Sequence, residues 1–298
     1  MTLLFRFTHR ETMAGIIQGK IMKACEAYAI FTLLILTCCN GEIMSGDRTT
    51  IHSLDKIPAS LWEALAQKRV FFGHQSVGDN IIQGMNELMD EHNVLRINIE
   101  RTKRLAYFEK GVFAHFSIGK NENPAAKIQD FEQILRSGIG EKADIAFFKF
   151  CFVDIARGTD IQKVFSDYAR TMGSLKTAYP RVIFVHVTVP LLRKEKSSPK
   201  AWLRKLLGKA DGFFANEHNV QRNEYNQLIM KKYAGKEPIF DLAGVESTYP
   251  DGTRQTFAEG GKTYYSLVPE YTEDGGHLNE LGRKRVAEQF LIFLARIQ

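Results

Sequence analysis

Cysteine is scarce in this chain. Only four occur among 298 residues, and three of them (Cys25, Cys38 and Cys39) fall within the first 39. The body keeps Cys151 alone, which excludes an internal disulfide framework and leaves the fold to its hydrophobic core. Charge of one sign is also in short supply. The 40 basic and 34 acidic residues leave +6, a mild balance that by itself argues for no nucleic-acid partner. Long apolar runs are missing: AYAIFTLLILT, from Ala27 to Thr37, is too short to cross a bilayer comfortably. Neither an internal repeat nor an H-E-x-x-H spacing occurs, so no dense metal motif is expected. What remains is ordinary, 44% apolar and 25% charged residues over a length that fits one large α/β domain or two small ones.

The first residues differ in kind from the rest. Lys20 and Lys23 precede the apolar stretch, and LTCCN follows it, with Leu36 three places before Cys39. A basic end before a short apolar core reads as a secretory signal. Its close resembles a bacterial lipobox, in which the cysteine is lipidated and becomes the mature N-terminus; Cys38 stands where Gly, Ala or Ser is usual. Met13 and Met22 are alternative starts, and a plain cleaved signal or an N-terminal anchor is the alternative reading. The expected organisation is a signal peptide over 1–38, a polar tether over 39–57 and one domain over 58–298. The protein is then exported to the cell envelope and held at a membrane surface through Cys39. Removing residues 1–39 takes away four basic and two acidic side chains and leaves +4.

After Pro58 the pattern becomes regular. Short β-rich apolar runs at 69–73, 94–99, 112–117, 144–150, 181–189 and 238–242 alternate with helix-like segments near 59–67, 79–92, 125–137, 160–178, 214–234 and 278–297. Strands apolar on both faces and alternating with helices predict a three-layer α/β/α sandwich around a mostly parallel, flavodoxin-like sheet. The last helix is the clearest, with Val286, Ala287, Phe290, Leu291, Leu294 and Ile297 at helical spacing. Residues 192–213 form one long basic insertion.

In such a sheet, ligands bind at the carboxyl ends of the strands. RVFFGHQSVGDNII, residues 69–82, ends a strand and starts a helix around Ser76. A serine hydroxyl is a poor nucleophile unless a base stands beside it, and that base must be held in one tautomer. The D-G-G-H of Asp274 to His277, just before the final helix, supplies a carboxylate and an imidazole three residues apart, with two glycines for a tight turn. The bland alternative makes Ser76 and Asp274 helix caps and His277 an exposed first-turn residue.

A strand ending in a serine and a D-x-x-H before the terminal helix together resemble the SGNH/GDSL hydrolase superfamily, over roughly residues 66–298. The resemblance implies Ser76 as nucleophile, His277 as base and Asp274 as its orienting carboxylate. It implies an oxyanion hole from the backbone N–H groups of Ser76 and Gly119, and neither metal nor organic cofactor. G-H-Q-S replaces the family's G-D-S, and FFKFCFVDI lacks the asparagine of its third block, so Asn121 or Lys149 is a candidate replacement donor. The implied reaction is hydrolysis of an oxygen ester, with a short acyl group on a carbohydrate as the implied substrate for an envelope protein. Two alternatives stand beside it: an O-acyltransferase using the same residues, and a non-catalytic glycan-binding envelope protein.

Other residues carry weaker readings. His74 lines the pocket or sits buried on backbone. His74, His277 and Asp274 are conceivable zinc ligands, and Cys151 with His277 a conceivable thiol pair, although a lone strand-end cysteine is more often core. Asp154 is the third block's displaced acid or a helix cap. The insertion, with Trp202, invites a nucleic-acid reading, but a solvated helix or a lid fits an exported protein better, and no nucleic-acid partner is expected. The polar residues of NEHNVQRNEYN (216–226) reach the cleft or form a solvated helix face. Oligomeric state is left open.

Overall fold

The structure is a computed structural model that describes residues 53–195 and 214–297. The expected signal peptide, Cys39, most of the expected tether and the greater part of the basic insertion lie outside the described residues. The packed body reaches back to Leu54, before the expected boundary at 58. Leu54 and Ile57 are buried in the core, because an apolar pair at this spacing covers the flank of the final helix, where Glu288 accepts from the Leu54 N–H.

The central sheet has six strands. β1 (Arg69–His74) lies in its middle, between β3 (Val112–Ser117) and β4 (Ile145–Phe148). β2 (Ile99–Arg101) is the edge beyond β3, and β5 (Ile183–Val187) and β6 (Ile239–Phe240) extend the sheet beyond β4. Every pairing is parallel. Without edge strand β2 the order is flavodoxin-like, and the carboxyl end of β1 marks the point where the chain's direction of travel across the sheet reverses.

Alternating side chains explain the three layers. Phe71 packs on one face with Phe131 and Phe148, while Phe72 packs on the other with Phe113, Phe147 and Phe290. Successive strand residues point to opposite faces, so a strand apolar throughout needs helices on both sides. One layer holds α1 (Ala59–Ala66), α2 (Val77–Glu91) and the terminal helix α7 (Glu280–Arg296). The other holds α3 (Pro124–Ile134), α4 (Ile161–Ala178) and α5 (Asn216–Tyr233). α2 and α7 meet closely at Gly84, where a Cβ would fall against the Arg283 carbonyl, and the Arg283 guanidinium closes on Glu87 at 2.6 Å.

Three features differ from the sequence expectation. β2 begins at Ile99, where 94–99 was expected, because the chain before it fully buries only Leu95, packs Ile97 at the edge of the core and leaves Val94 exposed. An antiparallel hairpin of β7 (Thr256–Glu259) and β8 (Lys262–Tyr265), unforeseen in the sequence, follows the short α6 (Leu242–Glu246). The polar stripe of α5 neither faces solvent nor reaches the cleft. Asn219, Asn223 and Asn226 are buried, and each amide takes both the N–H and the C=O of one residue: Leu192, Tyr265 and Val189 respectively. Each asparagine does for that residue what a neighbouring strand would do, which fixes the irregular chain after β5.

Candidate active site

The chain leaves β1 at His74 and reaches Ser76 in a conformation uncommon for a residue with a side chain, φ 58° and ψ −112°. Such a backbone costs about 1–3 kcal/mol and persists only where its surroundings impose it. Ser76 occupies the cap position of α2, but its side chain does not cap the helix. Instead Oγ lies 2.6 Å from His277 Nε2. Among the described residues the Ser76 N–H finds no acceptor.

The partner turn is fixed from several sides. His277 Nδ1 donates to Asp274 Oδ2 at 2.6 Å, while Asp274 Oδ1 accepts the backbone N–H groups of Gly276 and His277, each at 2.8 Å. Desolvation pushes the Asp274 carboxyl up, but the bonds from His277 and the two backbone N–H groups outweigh it and take the carboxyl down to about 2. It is therefore ionised at neutral pH and holds the imidazole proton on Nδ1, which leaves Nε2 as the acceptor facing Ser76. Gly275 adopts φ 94° against the Arg193 side chain and gives its carbonyl to the Arg193 N–H at 2.9 Å. Leu192, locked by Asn219, packs on Gly276, and the Phe152 ring meets the imidazole edge-on at 5.5 Å. On the far side the Leu278 N–H bonds Asn80 of α2 at 3.1 Å. α7 is capped by Asn279, not by Asp274. The His277 and Asp274 side chains keep 48% and 57% of their surface exposed, so a substrate reaches them from solvent.

The other candidates, Asn121 apart, are placed differently from the expectation. The Gly119 N–H does not face the serine unengaged: it donates to Asp130 Oδ2 at 2.8 Å. Asn121 is exposed and gives Oδ1 to Lys127 Nζ at 2.9 Å. Lys149 is buried beneath the site with Nζ near the Phe150 carbonyl (3.3 Å) and Cys151 Sγ (3.5 Å), so it is no cleft donor; burial lowers its pKa. His74 is buried away from the cleft, its Nε2 2.9 Å from His115 Nδ1, and burial takes it down to about 2. Gly78 passes so close to the His74 ring that no side chain fits there. Cys151 Sγ is buried on the Gln75 carbonyl rather than on His277. His74, His277 and Asp274 do not form a metal grouping, and among the described residues no cluster of three such ligands exists. Asp154 is neither exposed nor a helix cap: it pairs with Lys127 in the interior.

Sequence reasoning missed Gln75 and Lys127. Gln75 Nε2 donates to the carbonyls of Ile118 and Gly119 at 2.7 and 2.9 Å, clipping the end of β1 to the loop after β3. Its position beside Ser76 is the only signal the sequence offered. Lys127 lies on an amphipathic helix, where a lysine ordinarily faces water. One hollow adjoins the His277 turn, lined by Glu273, Asn279, Glu280 and Arg283; another, around Arg69 and Asp144, opens at the amino end of the strands, away from the serine.

No family model matches the chain, and no curated protein matches its sequence. Solved structures do resemble it. The periplasmic domain of a lipopolysaccharide acetyltransferase from Salmonella ser. Paratyphi A is 12% identical, over 75% of this chain and 82% of that one, at a TM-score of 0.44. An acetyl esterase mutant with acetate ion is 11% identical, over 76% and 97%, at 0.40. A family 3 carbohydrate esterase from Clostridium thermocellum is 14% identical, over 75% and 92%, at 0.38. These are likenesses of overall α/β fold alone and say nothing of this chain's reaction.

Proposed function

We propose that the protein is a serine esterase that hydrolyses oxygen esters. The observation that carries this reading is the continuous chain from Ser76 Oγ through His277 to Asp274 Oδ2, with both hydrogen bonds at 2.6 Å. Ser76 Oγ attacks the acyl carbon as its proton passes to His277 Nε2, and the C=O bond opens to an oxyanion. The Ser76 N–H, unengaged within the described residues, is the donor proposed to meet that charge. Collapse expels the alcohol, which takes the proton from Nε2 and leaves an acyl-serine. Water then attacks, Nε2 again takes the proton, and release of the acid restores the serine. Asp274 stays ionised throughout and stabilises the imidazolium.

Short acyl groups on carbohydrate are the proposed substrates, and export with lipidation at Cys39 the proposed setting. Both rest on the leader pattern and on the sequence resemblance. The test is covalent: treat the protein with a small fluorophosphonate and locate the adduct by peptide mass. An adduct on Ser76, lost in Ser76→Ala and His277→Ala, supports an activated nucleophile. A folded protein that stays unlabelled refutes the reading.

A further inference from the structure

Of the two backbone donors that the resemblance implies for the oxyanion, Ser76 and Gly119, the second is already spent. The Gly119 N–H serves Asp130, and the backbone N–H of Cys151, in the block that lacks an asparagine, serves Asp154 Oδ2 at 2.6 Å. Among the described residues the Ser76 N–H is unengaged, and a side-chain amide on a loop near it can supply a second donor. The loop 119–123 is built to offer one. Its start is clipped to β1 by Gln75, and the Glu122 N–H reaches Asp154 Oδ1 at 2.9 Å, in the segment that follows β4. Because β1 lies between β3 and β4, the loop spans the carboxyl end of β1, where Ser76 stands. Its backbone is strained at Glu122, φ 64°, a conformation that persists at sites whose geometry is imposed by their surroundings.

At the middle of that loop is Asn121. Its amide is oriented by an unusual device. Lys127 Nζ bonds Asn121 Oδ1 at 2.9 Å and Asp154 Oδ2 at 2.5 Å, and both the lysine and the aspartate side chains are fully buried. A buried ion pair is a poor source of stability and is better explained by the conformation it fixes. With its oxygen drawn inward to the ammonium, the amide must turn its two N–H donors outward. We infer that Asn121 Nδ2 is the second oxyanion donor of the Ser76 site, and that buried Lys127 is the residue that positions it. This inference rests on the serine-esterase reading.

The test uses p-nitrophenyl acetate on the full-length chain, after fluorophosphonate labelling of Ser76 in the wild type. No adduct would remove the esterase reading and this inference with it. Given an adduct, Asn121→Ala and Asn121→Asp are expected to lower kcat by about 10²–10³ with KM little changed. Asn121→Asp keeps the acceptor for Lys127 and so keeps the fold. The paired change Lys127→Met with Asp154→Asn leaves no bare buried charge; it is expected to lower kcat at least about tenfold, and adding Asn121→Ala should cost nothing more. If both Asn121 variants turn over within about threefold of wild type, or if the losses multiply, the inference is overturned while the esterase reading stands.

Discussion

Replacing Asp274 with asparagine changes one atom's chemistry and almost nothing of the turn's shape. Asp274 Oδ1 accepts two backbone N–H groups, from Gly276 and His277. An asparagine must therefore keep its carbonyl oxygen at that position. Flipping it would lose both bonds, about 0.5–1.5 kcal/mol each, and set donor against donor. Its NH₂ then occupies the place of Oδ2, 2.6 Å from His277 Nδ1 in the native turn. Two donors cannot face each other, so the imidazole moves its proton to Nε2, and the nitrogen facing Ser76 is no longer a base. The equivalent change in other Ser-His-Asp triads costs about 10⁴ in kcat, or about 5 kcal/mol of transition-state stabilisation. Thermal stability should hardly move, because the side chain is largely exposed and its backbone bonds survive. Steady-state turnover of p-nitrophenyl acetate, with a melting curve as control, reads both quantities. A folded Asp274→Asn protein within about thirtyfold of wild type would show that tautomer control by Asp274 is not what activates Ser76.

Two further outcomes are expected. Gly84→Ala should destabilise despite the better helix propensity of alanine, because the new Cβ meets the Arg283 backbone carbonyl rather than a movable side chain; overpacking of this kind costs about 1–3 kcal/mol, and each kcal/mol lowers Tm by about 2–4 °C, whereas an unchanged or raised Tm would show that α2 and α7 part easily. Glu246 is buried, with one oxygen on the Leu191 N–H and the other without a partner among the described residues, and burial raises it from 4.5 to about 8. The folded state therefore binds the extra proton between these values, and stability falls as pH rises from about 4.5 to about 8. Glu246→Gln should flatten that decline, so melting curves at pH 5 and pH 8.5 that drop equally in both proteins would refute the assignment.

The strand–helix alternation was legible because each strand buries both faces and so reads as a continuous apolar run. The site was legible for a related reason: Ser76 and His277 sit at the junctions where those periods stop. The missed hairpin had a readable signal, Gly260–Gly261 between alternating residues, and both glycines take positive φ in the turn. The fates of Gly119 and Lys127 had none. Their partners, Asp130 and Asp154, are chosen by how α3 packs onto the sheet, and no local period carries that information. The asparagines of α5 misled for the opposite reason. Their polarity suggested water, but tertiary structure supplied unpaired peptide groups in its place.

The residues of the proposed reaction lie 201 positions apart, with the nucleophile just past the first strand and its base beside the last helix. A chain that is still being synthesised carries the serine long before the histidine exists beside it. On the proposed esterase reading, Ser76 gains its base only once α7 has docked on α2, so a partly made molecule would not yet cleave esters.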